Sequence, residues 1–132
     1  MIEQSLSDFR VIRYKDRRLI VADYNQLHQE SRKFLEEVLL EKTSNPTVVI
    51  SHHPPTFFNY PEKYANSKIN EAFGTEMFSF NENSEINYWM YGHHHCNVAD
   101  FTIGTTKLIT NQLGYVKYSE NERFRKDALF VL

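Results

Sequence analysis

Five of the six histidines in this chain fall in two short turns, Ser51-His52-His53-Pro54-Pro55 and Gly92-His93-His94-His95. Neutral imidazole is the commonest side-chain metal ligand, so two such turns brought together would make a metal centre. Three imidazoles carry no negative charge. They suit a single ion such as Zn²⁺, which accepts three histidines and a water, better than a pair of divalent ions, which calls for a bridging carboxylate. In an extended second turn, His93 and His95 would point to one side and His94 to the other. Gly92 would let the chain bend sharply before them. Pro54 and Pro55 would hold the first turn open and rigid. The competing reading is a pair of polar surface loops. It is weakened because each turn ends an apolar run.

Those runs are Thr47-Val48-Val49-Ile50-Ser51 and Ile86 to Tyr91, both short and rich in β-branched or aromatic residues, and they read as buried strands. Parallel strands present their C-terminal ends along one edge, where ligands of α/β sheets bind. Upstream, Phe9 to Tyr14 alternates like a strand and Arg18 to Val21 makes a second, with Lys15-Asp16 as the turn. Asp23 is the expected helix N-cap. From there Leu27, Ser31, Phe34, Leu35, Val38 and Leu39 form one helical stripe, ending near Lys42 because Ser44-Asn45-Pro46 breaks it. Ile69 to about Phe80 is expected to be helical, with Gly74 as a weak point. Phe101 to Thr110 forms a β-hairpin around Gly104-Thr105, and Ala128 to Val131 a last strand. The order describes an α/β domain with an antiparallel end, taken as one domain over residues 1–132.

Apolar residues make up 41% of the chain, enough for a core and too many for a disordered chain. The formal net charge of -2 gives no basic excess, so nucleic acid is not an expected partner. No apolar run approaches a membrane span, and the N-terminus lacks the pattern of a signal peptide. Cys96 is the sole cysteine, so no intrachain disulfide forms. The expected location is cytoplasmic.

Ile50-Ser51-His52-His53-Pro54 resembles the strand–His–x–Pro block of calcineurin-like metallophosphoesterases, and Gly92-His93-His94-His95 resembles their Gly-His-x-His block. Thr110-Asn111-Gln112-Leu113-Gly114 is similar to the Asn-x-Gly turn after the family's hairpin, with one residue more between the Asn and the Gly. The resemblance spans Thr47 to Gly114. It implies the C-terminal half of an α/β/β/α sandwich. It also implies a centre of two divalent ions (Mn, Fe or Zn) acting on a phosphate-ester substrate. On this likeness His52 and His93 ligate one ion and His95 the other, while His94 takes a variable position. His53 and Asn111 are the candidate substrate contacts.

Three blocks of the family are absent: Asp-x-His, Gly-Asp-x-x-Asp and Gly-Asn-His-Asp/Glu. They supply the bridging Asp, a second Asp and His, an Asn ligand and a histidine for the leaving group. The chain is therefore expected to be a C-terminal piece with an incomplete binuclear site, inactive by itself, and to self-associate through an uncovered sheet face. The alternative is a non-catalytic metal-binding or association domain of the same ancestry. Tyr88, Trp89 and Tyr91 are expected in the sheet and core. Phe57, Phe58 and Tyr60 are read as either core or pocket, His28 as a surface residue, and Asp100 as a support for the second histidine turn.

Overall fold

Loop-closing side chains shape the N-terminal region. The computed structural model describes residues 2–41 and 43–132. Its contacts divide the chain into two compact units, residues 1–42 and 43–132. In the first, helices α1 (Ile2–Ser5) and α2 (Asp8–Val11) precede a two-stranded hairpin, β1 (Arg13–Tyr14) and β2 (Arg17–Arg18), and the long helix α3 (Val21–Leu40). The strand expected over Phe9 to Tyr14 is thus helical as far as Val11. Burial of Phe9, with Tyr24 edge-on to it at 6.1 Å, outweighs a loose alternation. The second expected strand is confined to Arg17–Arg18.

Asp23 is not the cap residue of α3 but sits at its third position. Its carboxylate accepts a hydrogen bond from the Ile20 N–H (3.1 Å) and two from the Arg17 guanidinium (2.6 and 2.8 Å). It therefore closes the hairpin onto the first turn of the helix. Arg17 holds the Asp23 carboxyl below the usual carboxylate range. The expected helix end at Lys42 lies outside the described residues. The apolar stripe of α3 is only partly covered: Leu35 and Leu39 are half-buried, whereas Phe34 is 62% exposed.

The second unit is built on a four-stranded mixed sheet: β3 (Val48–Ile50), β4 (Tyr88–Met90), β5 (Phe101–Ile103) and β6 (Thr106–Ile109), in the order β3-β4-β6-β5. β3 and β6 flank β4 in parallel, and β5 returns antiparallel to β6. Val49 pairs with Trp89 and Trp89 with Leu108, so one row of buried side chains crosses the sheet. The C-terminal ends of β3, β4 and β6 consequently share one edge. The hairpin turns at Gly104, where φ is +58° and a Cβ would collide with the Glu82 carbonyl; only glycine fits.

Ile69 to Phe80 is not one helix. A 3₁₀ turn (Asn70–Ala72) and helix α4 (Phe78–Glu82) are separated at Gly74, against which the Phe57 ring packs so tightly that a Cβ would lie 2.9 Å from it. The C-terminal residues 128–131 form no strand; Phe130 packs on Tyr88, whose hydroxyl donates to the Val131 carbonyl (2.8 Å). Helices and a mixed sheet make the chain an α/β protein.

Candidate metal centre

The β3–β4 ladder does not stop at the strand ends. Ser51 N–H donates to the Met90 carbonyl and Gly92 N–H to the His52 carbonyl, both at 3.0 Å, so the two histidine turns remain laced together. A side-chain relay fixes the first turn. The Trp89 indole N–H donates to Ser51 Oγ (2.8 Å), and the Ser51 hydroxyl donates to the His53 carbonyl (2.7 Å). Pro54 and Pro55 are buried, and their carbonyls accept from Thr75 (3.2 Å) and Met77 (2.9 Å).

This wiring brings His52, His53 and His93 together, with one nitrogen of each lying within 4.8 Å of the others. His52 Nε2 and His93 Nδ1 are 3.3 Å apart. Two imidazole nitrogens bound tetrahedrally to one Zn²⁺, each about 2.0–2.1 Å from it, would be about 3.3 Å apart. His52 and His93 therefore stand at the spacing of two ligands of one ion, and His53 offers a third nitrogen within 4.8 Å of theirs. Phe73 stacks on His93 at 4.4 Å. Burial, then the neighbouring His53, His52 and His95, push His93 down to about 4, so its ring is neutral near pH 7, as a ligand must be. Among the described residues, this group of metal-ligating side chains contains no carboxylate.

His95 stands apart from it. His93 and His95 have φ of 76° and 48°, in the left-handed region that non-glycine residues seldom enter. The turn is not extended, and the alternation that would place both rings on one side does not hold. These two histidines make the bend; Gly92 is not among the positive-φ residues. His95 Nδ1 instead meets Glu120 Oε2 at 3.1 Å, with Tyr115 edge-on to the ring. A carboxylate on one ring nitrogen is how proteins fix the tautomer and aim the other nitrogen of a ligating histidine. His94 is 5% exposed, lies against Tyr60 (4.4 Å) and Tyr64 (5.3 Å), and among the described residues has no hydrogen-bond partner on either nitrogen. Burial pushes it down to about 4.

Asn111 is engaged with backbone: its amide donates to the Arg125 carbonyl (2.8 Å) and accepts from the Arg125 N–H (2.9 Å). Asp100 does not support the histidine turn; it pairs with Lys107 at 3.5 Å. That support comes from residues the sequence did not single out. Gln112 accepts from the His95 N–H (2.8 Å) and donates to the Cys96 carbonyl and to Thr110 Oγ1. Asn97 exchanges two hydrogen bonds with the Gln112 backbone. Only the adjacency of Gln112 to Asn111, just past the end of β6, hinted at this in the sequence.

The calcineurin-like phosphoesterase family model matches residues 3–97, a stretch that takes in both histidine turns. The chain belongs to the calcineurin-like phosphoesterase family. Comparison with curated proteins and with solved structures gave no match. The match reaches well upstream of Thr47, where the motif likeness begins, and it stops short of the β5–β6 hairpin. The family is metal-dependent and acts on phosphate esters. No helix among the described residues is long and apolar enough to cross a membrane.

Proposed function

We propose that this phosphoesterase-family chain binds a divalent ion through His52 and His93, with His53 completing the set, and that phosphate esters are its substrates. The 3.3 Å approach of His52 Nε2 to His93 Nδ1, from the ends of two different strands, carries the reading. His95, steadied by Glu120, is proposed as the ligand facing a second ion position. A divalent ion held here supplies a Lewis acid toward phosphoryl oxygens and acidifies a water. The residues themselves bind and orient: the Trp89–Ser51–His53 relay holds the first turn, and Gln112 holds the second. His53, if not a ligand, is the candidate phosphate contact, and Asn111 remains so only if it releases Arg125. An all-imidazole set favours Zn²⁺, though Mn²⁺ and Fe also accept imidazole.

The absence of a carboxylate from the cluster favours a second reading, a metal-binding domain with no turnover of its own. Losing ligand-orienting partners alone costs ~10–100-fold in affinity or activity, and losing ligands costs more. Calorimetric titration with Zn²⁺ should give one tight site, lost in His93→Ala. The 132-residue chain should hydrolyse p-nitrophenyl phosphate at background. Robust metal-dependent turnover abolished by His52→Ala would instead show that the histidines suffice. Failure of the wild-type chain to bind any of the three metals would remove both readings. Self-association belongs to the same proposal. It is supported by Ile50, 77% exposed on edge strand β3, and is checked by sedimentation over a concentration series.

A further inference from the structure

The β5–β6 pairing ends at Phe101 and Leu108. The two segments rejoin where Asn97 and Gln112 exchange hydrogen bonds of 2.8 and 2.6 Å. Between these closures the backbone parts around a cleft of about 410 Å³, lined by residues 97–100, Thr110, Arg123 and Arg125. None of these residues belongs to the histidine cluster.

The chemistry of the cleft is one-sided. The Asn97 carbonyl accepts from the Arg123 guanidinium (3.4 Å) and the Ala99 carbonyl from the Asn59 amide (3.2 Å). The backbone N–H groups of Val98, Ala99 and Asp100 have no acceptor among the described residues. Nor does the Arg125 guanidinium, and Arg123 commits one N–H to a long bond. Each guanidinium carries five N–H donors and no acceptor. Asp100, the one carboxylate among the lining residues, pairs with Lys107 at 3.5 Å, so it leaves the two arginine charges in excess. The excess is local, in a chain whose formal net charge is -2. The arginines are also placed. The Arg125 N–H and carbonyl are both bonded to the Asn111 side chain (2.9 and 2.8 Å), and Arg123 is tied to the backbone of the buried Asn97. Such fixing lowers the ordering cost of binding.

We propose that this cleft binds a small oxyanion, phosphate or sulfate, gripped by Arg123 and Arg125. Guanidinium forks match the geometry of oxyanions, and free loop N–H groups add uncharged donors. The charge excess disfavours a cation, and the density of donors disfavours an apolar group. The site needs neither a metal at the histidines nor turnover there, so it stands or falls separately from the phosphoesterase reading.

The test follows the Nε–H NMR signals of Arg123 and Arg125 in the metal-free chain, with the His52 ring C–H signal as reference. Sodium phosphate and sodium sulfate are titrated separately, each against sodium chloride at equal ionic strength. Saturable shifts of both arginine signals with an oxyanion, and none with chloride, are expected. Equal responses to the two oxyanions support a general oxyanion site, and a response to phosphate alone supports a phosphate site. Arg125→Gln should weaken binding about tenfold, the loss of a hydrogen bond to a charged group. It should leave the Tm unchanged, because the contacts of Arg125 are made by its backbone. Asp100→Asn should tighten binding a few-fold by removing the negative charge on the rim, whereas a change that only disturbed the fold would weaken it. Shifts matched by chloride would mean charge screening alone. Shifts at His52 without the arginines would put the anion at the histidine cluster. Either result overturns the proposal, as does an Arg125→Gln chain that binds as tightly as the parent.

Discussion

The two histidine turns reach the same edge of the sheet by different physical means. The first, His52 to Pro55, is stiffened by covalent geometry: two prolines fix φ, and the one side-chain relay it needs comes from Trp89 on the adjacent strand. The second, Gly92 to His95, holds two non-glycine residues in the left-handed region. Such a conformation persists only where surroundings over-determine it. Here they are Gln112, Asn97 and Glu120, each supplied from farther along the chain. A turn set by its own residues tolerates change around it, whereas a turn set by others inherits their fragility.

Gln112→Ala should therefore produce the largest effect. It removes three side-chain hydrogen bonds at once, worth roughly 0.5–1.5 kcal/mol each. Chemical denaturation should show a loss of about 2–4 kcal/mol, and Zn²⁺ affinity should fall ~10–100-fold. An unaltered midpoint would show that the second turn holds itself. Gly114→Ala comes next. Gly114 has φ +62°, and a Cβ there would lie 2.5 Å from the Glu120 Cβ and 3.2 Å from that of His95. Strain of about 1–3 kcal/mol is expected, with NMR changes concentrated at His95 rather than His52.

The contrast explains what could be read in advance. The strands at Val48–Ile50 and Tyr88–Met90 and the hairpin around Gly104 were legible because apolar runs and turn residues are local signals. So was the meeting of His52 with His93, since parallel strands end together. The orientation of His95 was not, because a simple alternation presumes extended backbone and nothing within Gly92 to His95 announces two positive φ angles. The helix expected over Ile69 to Phe80 failed for a similar reason. Its periodicity was real, but Gly74 serves the packing of Phe57, a partner seventeen residues earlier. Phe9 was read as strand where a buried contact with Tyr24 made it helical.

Smaller effects sharpen the comparison. Glu120→Gln keeps the shape of the side chain but removes its charge, and should lower metal affinity by about tenfold or more with little change in stability. In the metal-free chain acid should remove the same charge. The Tyr115 N–H first, and His95 second, hold the Glu120 carboxyl below its ordinary value. Its contribution is thus complete above the unfolded glutamate value of about 4.3 and lost as pH falls through the lowered folded value. NMR in that window should show residues 115–120 loosening while the Ser51 hydroxyl bond persists. Pro54→Ala should have the smallest effect on the site: it frees the unfolded chain by about 0.4–1 kcal/mol and removes some buried ring contact, with Zn²⁺ affinity held within a few-fold. A large affinity loss there would place the two turns on the same footing.

Trp89 is the sole tryptophan of the chain, 1% exposed, and its indole N–H is bonded to the residue that immediately precedes His52. That bond makes it a built-in optical reporter. Indole emission responds to the polarity and hydrogen bonding around Nε1, so any occupant that draws His52 or His53 inward, and Ser51 with them, is registered as a change of colour or intensity. Events at the turn can then be followed in real time in the unlabelled protein, without a chromogenic substrate and whether or not turnover takes place.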